Sequence, residues 1–137
     1  MAAAPARLST ILGSCVSLCL WDTRRKLGGM NHVLLPQGRA GASNRFRYAN
    51  VANKALLERM IATGSRIHDI VARVYGGATM FIPAGGETES LGSKNVGAAT
   101  DFLRSTGIPL AMKDTGGCRA RKVVFDVETG QASVVLL

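Results

Sequence analysis

The chain has 137 residues, 47% of them hydrophobic and 19% charged, and its 17 lysines and arginines against 9 acidic residues give a net charge of +8. This length predicts one domain, and the composition excludes a disordered chain. A basic protein favours acidic partners, but four phenylalanines, two tyrosines and one tryptophan are too few for a base-stacking surface, so we predict no nucleic-acid partner.

The three cysteines, Cys15, Cys19 and Cys118, are an odd number and include no C-x-x-C pair. This usage, with no histidine nearby at metal-ligand spacing, is typical of free thiols in a reducing compartment, so we predict a cytoplasmic protein whose cysteines hold no metal. The N-terminus lacks the charged and apolar regions of a signal peptide, and no apolar run approaches the roughly 18 residues of a membrane span. We therefore predict no membrane insertion.

Short apolar runs alternate with polar or glycine-containing breaks in the first third of the chain, which predicts strands joined by turns. We expect a ragged start over residues 1–8, a strand over 9–12 and a break at 13–15. A second strand is expected over 16–21, a polar turn over 22–26, and a third strand over 30–35 that ends before a proline. Residues 37–47 follow as a glycine-rich basic loop, of a kind that often contacts partners.

Two helical patterns follow. Asn50 is predicted to cap a helix over residues 51–63, and Ser93 or Asn95 to open a second helix that ends near Ser105, before a glycine and a proline. The remaining segments are predicted as a strand over residues 67–75, a loop over 83–94 and a strand over 110–113. The tail is predicted as a hairpin with its turn at 128–130. The order predicts an α/β protein of the α+β type, with one domain over residues 9–137. Its sheets are mixed or antiparallel with helices outside, rather than doubly wound.

Cys15 and His32 are the candidate catalytic residues. Cys15 follows a Gly-Ser pair at a break between two apolar runs, and His32 lies beyond the charged turn. A neighbouring imidazole lowers the pKa of a thiol and then serves as acid and base, while the Cys15 N–H at the turn is placed to stabilise an oxyanion. The pair indicates acyl transfer on an amide or ester. The alternative is a small buried cysteine beside a core histidine.

The other cysteines and the second histidine are less distinctive. Cys19 lies within an apolar stretch and is predicted to be in the core. Cys118 lies beside Arg119, which makes it either a reactive thiol or an incidental surface thiol. His68 is predicted to lie on the surface.

The run S-T-I-L-G-S-C-V-S-L-C-L-W-D at residues 9–22 and G-G-M-N-H at 28–32 resemble the signature of the CheD family of chemoreceptor glutamine deamidases. Further matches occur in the family's order: R-Y at 47–48, V-Y-G-G-A at 74–78, K-N-V at 94–96, F-L-R-S-T-G-I-P at 102–109 and D-T-G-G at 114–117. The resemblance covers nearly the whole chain from Ser9 onward.

The resemblance implies a cysteine hydrolase with a fold like that of the toxin-type deamidases. It would convert glutamines on the cytoplasmic helices of methyl-accepting chemotaxis receptors to glutamate through a thioester, without a cofactor. The family's nucleophile falls on Cys15, its histidine on His32, and its third residue, a threonine, on Ser9, with Thr10 as the adjacent alternative. Ser14 and Thr10 are the candidates for substrate binding or oxyanion stabilisation.

The resemblance also implies a second role, docking to a CheC-type phosphatase, so that an adaptor with secondary or lost catalysis is the alternative. Receptor methyl-ester hydrolysis by the same thiol is a further expectation. Family members carry a strand upstream of Ser9, and only eight residues precede it here. The resemblance therefore predicts a shortened start and a sheet that lacks one edge strand.

Overall fold

A computed structural model of the chain describes residues 1–38, 45–80 and 89–137. Its strands form a five-stranded sheet in the order β1-β4-β3-β5-β6 and a three-stranded sheet in the order β2-β7-β8. All pairings are antiparallel except that of β5 with β6. The strands are β1 Ala2–Ala3, β2 Arg7–Leu12, β3 Val16–Asp22, β4 Leu27–Met30, β5 Ile70–Gly76, β6 Leu110–Thr115, β7 Arg121–Asp126 and β8 Ala132–Leu136.

Two helices cover the larger sheet: α1 (Ala49–Ala62) contacts β3 and β4, and α2 (Leu91–Thr106) contacts β3 and β5. One buried apolar cluster joins these helices to that sheet, and a second joins the two sheets. β3 serves both, because its side chains alternate between Leu18 and Leu20 in the first cluster and Cys19 in the second. The predicted α+β sandwich is confirmed, with its helices on the outside.

The start of the chain is more regular than the predicted ragged segment. Ala2–Ala3 pairs with β4 and forms the edge of the five-stranded sheet, and β2 begins at Arg7 rather than at Ser9. The backbone N–H of Ala4 donates to Lys26 O at 3.0 Å, which continues this attachment.

The third strand was predicted over residues 30–35, which was wrong by several residues, since β4 occupies Leu27–Met30. β4 includes the glycine pair that was predicted to be part of a turn. A Cβ on Gly29 would lie 2.4 Å from Leu56 Cδ1, so glycine is needed for α1 to approach the strand. After β4, the pairing with β3 includes a side chain: Asn31 Oδ1 accepts the backbone N–H of Leu18 at 2.9 Å.

Both helices begin earlier than predicted. Asn50 does not cap α1; the cap position is Tyr48, and the Asn50 side chain instead bonds the backbone of Gly38. Helix α2 is capped by Ser90, whose Oγ accepts from the N–H of Ser93 at 3.1 Å. The predicted loops at 37–47 and 83–94 lie partly outside the described residues.

Predictions for the remaining segments were closer. β5 begins three residues later than expected, after a short 3₁₀ turn at Ile67–Asp69. Helix α2 ends at Gly107, which has a φ of 78°, and β6 extends two residues past its predicted end. The tail hairpin, β7 and β8, turns where the sequence predicted.

Candidate active site

Cys15 lies in the short bend between β2 and β3, and main-chain bonds from the segment after β5 hold this bend. The N–H of Ala78 donates to Gly13 O, and the N–H of Gly77 donates to Cys15 O, both at 2.9 Å. Gly76 has a φ of 103°, and a Cβ there would lie 2.2 Å from Cys15 O. The thiol is thus seated against a backbone that only glycine allows.

His32 lies on the segment that continues β4 beside the start of β3. Val16 and Val33 exchange two main-chain bonds, of 3.0 and 2.8 Å, and keep the register in which Cys19 faces Met30. In that register Cys15 and His32 are diagonal neighbours on adjacent segments. The structure therefore brings the two predicted residues to the same end of the sheet.

Thr10 rather than Ser9 bonds to the imidazole. Thr10 Oγ1 lies 2.8 Å from His32 Nδ1. Side chains alternate along β2, so that Thr10 shares a face with Leu12 while Ser9 lies on the exposed face. Within the described residues no hydrogen bond joins Ser9 to His32.

The thiol and imidazole have pKa values shifted in opposite directions. Burial raises the pKa of the Cys15 thiol, an effect partly offset by a hydrogen bond from its own backbone N–H. Partial burial lowers the pKa of His32. Both shifts favour the uncharged form, so at neutral pH the free protein holds a thiol and a neutral imidazole. This differs from the expectation that the imidazole would lower the thiol pKa, because neither shift is caused by the charge of the other group.

Two backbone N–H groups beside the sulfur are available to a substrate. In the described parts of the chain, the N–H groups of Ser14 and Cys15 donate to no other residue. The Cys15 N–H, which bonds only to its own thiol, and the Ser14 N–H are therefore the candidate donors for an oxyanion hole.

Two asparagines that the sequence analysis did not assign to the site hold its backbone. Asn95 on α2 donates from Nδ2 to Ser14 O at 3.1 Å and to Leu34 O at 3.0 Å. Asn31 Nδ2 donates to Asn53 Oδ1 on α1 at 2.8 Å. Asn31 lies in the G-G-M-N-H match and Asn95 in the K-N-V match, but neither match indicated what the asparagine bonds to.

A buried arginine supports the backbone on the other side of Gly76. Arg121 is 3% exposed; its Nη1 donates to Asp114 Oδ1 at 2.6 Å and to Asp114 O, and its Nη2 to Gly116 O. The N–H of Gly116 in turn donates to Gly76 O at 2.9 Å. The D-T-G-G turn therefore braces the segment that holds Cys15.

A shallow cavity of about 260 Å³ opens beside the imidazole and is lined by Met1, Leu8, Ser9, Thr10, Met30, Asn31 and His32. The larger cavity of about 720 Å³ lies between α1 and α2 and includes neither Cys15 nor His32. The smaller cavity is lined by His32 but, like the larger one, not by Cys15.

Cys19 is 1% exposed, which confirms its predicted place in the core, and burial raises its pKa to about 12. Cys118 is exposed, as a surface thiol would be.

In residues 1–38, 45–80 and 89–137 no cluster of three or more histidine, cysteine or acidic side chains could hold a metal ion. No helix in these same ranges is both long and apolar enough to span a membrane.

Comparison with known proteins identifies the family. The family model described as CheD chemotactic sensory transduction matches residues 34–135. The chain belongs to the CheD family. The resemblance seen in the sequence motifs is therefore confirmed.

Several CheD proteins align over nearly the whole chain. The probable chemoreceptor glutamine deamidase CheD of Rhodospirillum rubrum is 42% identical over 132 residues, which are 96% of this chain and 74% of that protein. The chemoreceptor glutamine deamidase CheD of Thermotoga maritima is 39% identical over 90% of this chain and 76% of its own. The probable deamidase of Methanococcus vannielii is 37% identical over 95% and 84%. The family model begins after His32, but the Rhodospirillum alignment omits too few residues to exclude Cys15.

Proposed function

We propose that this chain is a cytoplasmic deamidase that converts glutamines on the helices of methyl-accepting chemotaxis receptors to glutamate. The observation that carries the proposal is the pairing of Val16 with Val33, which makes Cys15 and His32 diagonal neighbours. The names of the CheD relatives support the substrate class. The net charge of +8 is suited to helices rich in glutamate.

The reaction starts from an uncharged pair. His32 Nε2 accepts the Cys15 proton as the sulfur attacks the carboxamide carbon, and the N–H groups of Ser14 and Cys15 stabilise the oxyanion. The C–N bond breaks, the imidazolium returns the proton to the leaving ammonia, and a thioester remains. Water then attacks the thioester, with His32 accepting its proton, and the thiol is released with glutamate. Methyl esters would be cleaved by the same steps, with methanol leaving.

The test is incubation of the purified protein with a receptor cytoplasmic fragment, followed by mass spectrometry for the mass gain of amide-to-acid conversion. Site-resolved gain at glutamines supports the proposal. The absence of any gain, with folded protein and the receptor of the same organism, rejects it.

We assign to Thr10 the role of orienting the imidazole of His32. The resemblance had given this role to Ser9, with Thr10 as the alternative. With Nδ1–H donating to Thr10 Oγ1, Nε2 is left free to accept the thiol proton. Thr10→Val keeps the shape and removes the acceptor, so we expect deamidation to fall about tenfold, the equivalent of one ordinary hydrogen bond. Ser9→Ala is the matched control, and its rate should stay within about twofold of wild type. The opposite ranking of the two variants would return the role to Ser9.

The pH dependence of kcat/KM follows from the two shifted pKa values. His32 must be unprotonated to accept the thiol proton, and its lowered pKa keeps it unprotonated further into acid. We therefore expect the acid limb of kcat/KM to have its midpoint below pH 6.5, with no decline until pH exceeds 9.0. An acid midpoint above 6.5, measured on the receptor fragment, would contradict the uncharged resting pair.

The alternative is an adaptor that binds a CheC-type phosphatase and has lost or weak catalysis. The raised pKa of Cys15 favours it, because a neutral thiol is a poorer nucleophile than a thiolate. Binding of a CheC-type protein by a chain that fails the deamidation test would select this alternative.

A further inference from the structure

Asn95 is a buried side chain on α2 that reaches both halves of the candidate site. It is 1% exposed, and its amide nitrogen donates to the carbonyls of Ser14 and Leu34. Ser14 immediately precedes Cys15, and Leu34 is two residues after His32. One side chain therefore joins the backbone of the nucleophile to the backbone of the imidazole.

The two bonds fix the amide completely. Both protons of the NH₂ group are used, so the side chain cannot turn without losing one of them. Its other end is unsatisfied, since Asn95 Oδ1 is buried and accepts no hydrogen bond within the described residues. An unpaired buried carbonyl is destabilising, so folding stability alone is a poor reason for an asparagine here.

The bonds of Asn95 join the same two segments as the main-chain bonds between Val16 and Val33, but at other residues. That contact fixes one point of each segment, while Asn95 holds the backbone on the far side of Cys15 and beyond His32. Two points on each segment restrict rotation of the bend relative to the histidine segment. The distance over which a proton passes between sulfur and imidazole is then restricted as well.

We propose that Asn95 is a positioning residue that sets the separation of Cys15 and His32, a role that rests on the proposed deamidation. Asn95 touches neither substrate nor the reacting atoms, because it is enclosed beneath the backbone. Its loss therefore affects the chemical step and leaves substrate binding unchanged.

The experiment compares Asn95→Ala with Leu103→Ala, both made in a Cys118→Ser background so that Cys15 is the accessible thiol. Leu103 lies on the same helix, is 4% exposed and packs in the first cluster, so its truncation destabilises α2 without touching the site. The measurements are kcat and KM on the receptor fragment, the rate of Cys15 alkylation by iodoacetamide, and the melting temperature of each variant.

For Asn95→Ala we expect kcat to fall about 100-fold with KM within about twofold, and alkylation to slow about tenfold. Leu103→Ala should lower the melting temperature at least as much and keep kcat within about threefold. An Asn95→Ala variant with wild-type kcat, or an equal loss of kcat in Leu103→Ala, overturns the proposal. So does an Asn95→Ala chain that is unfolded at the assay temperature while Leu103→Ala is folded, since Asn95 would then be structural.

The alkylation rate separates this proposal from the one on which it rests. If the wild-type protein deamidates nothing, the proposed function fails, but slower alkylation in Asn95→Ala alone would still support the positioning role. If wild type deamidates and Asn95→Ala matches it in both kcat and alkylation, only the positioning role is rejected.

Discussion

Cys15→Ser is expected to lower deamidation of a receptor fragment by about 10⁴-fold or more, comparable to losing the nucleophile of other covalent hydrolases. A serine hydroxyl ionises far less readily than a thiol, and His32, with its lowered pKa, is a weak base for it. The variant should fold, because in the described parts of the chain the thiol makes no hydrogen bond to another residue that holds the bend. Mass spectrometry of the fragment, with and without the variant, measures the effect.

The matched control is Cys118→Ser, which alters an exposed thiol outside the site and should leave the rate within about twofold of wild type. Equal activity of Cys15→Ser and wild type would remove Cys15 from the mechanism. Cys15→Ala, which should still bind the receptor fragment, separates catalysis from the adaptor role.

Gly76→Ala is expected to destabilise the protein by about 3 kcal/mol or more and to lower deamidation at least tenfold in whatever fraction remains folded. Two independent causes act together. The φ of 103° is unfavourable for any residue with a Cβ, and that Cβ would lie 2.2 Å from Cys15 O. The strain cannot be relieved locally, because Gly77 and Gly116 fix the adjacent backbone. Relief must come from displacing the bend that carries the thiol.

Gly97→Ala provides the control for a glycine-to-alanine change. Gly97 lies within α2, and apart from its neighbours in the helix no described residue has an atom within 4 Å of the Cβ that alanine would add. Alanine should therefore stabilise the helix by about 0.5–1 kcal/mol and leave catalysis intact. Thermal melts of both variants check the pair, and an unaltered melt for Gly76→Ala would show that the bend adapts more easily than its contacts indicate.

The parts of the fold that could be predicted are those set by local patterns. The alternation of Val16–Asp22 and of the tail identified β3 and the hairpin, and Gly107 marked the end of α2. β4 was misplaced because Gly28 and Gly29 resemble a turn in sequence. Their actual requirement, room for Leu56 and Phe125, depends on residues far along the chain.

The same division holds for the site. The proposed thiol and imidazole were chosen from residue type and from the family motifs, because few side chains can serve as a nucleophile and its base. The hydroxyl at His32 was assigned first to Ser9, since the count of residues ignored which face of β2 each occupies. Asn95 was not recognised, because its two bonds span 81 and 61 positions and no short window of sequence contains them.

Ribosomal synthesis delivers Cys15 and His32 long before Asn95, which enters the chain 80 residues after the thiol. Without α2 the bend and the histidine segment lose the two bonds of Asn95 and keep those that do not involve this helix, such as the pair between Val16 and Val33. A chain that ends before this helix thus carries Cys15 and His32 without the side chain that joins Ser14 to Leu34. Under the proposed function, we expect a fragment that ends before α2 to be inactive on receptor glutamines, because the bonds from Asn95 to both segments are missing.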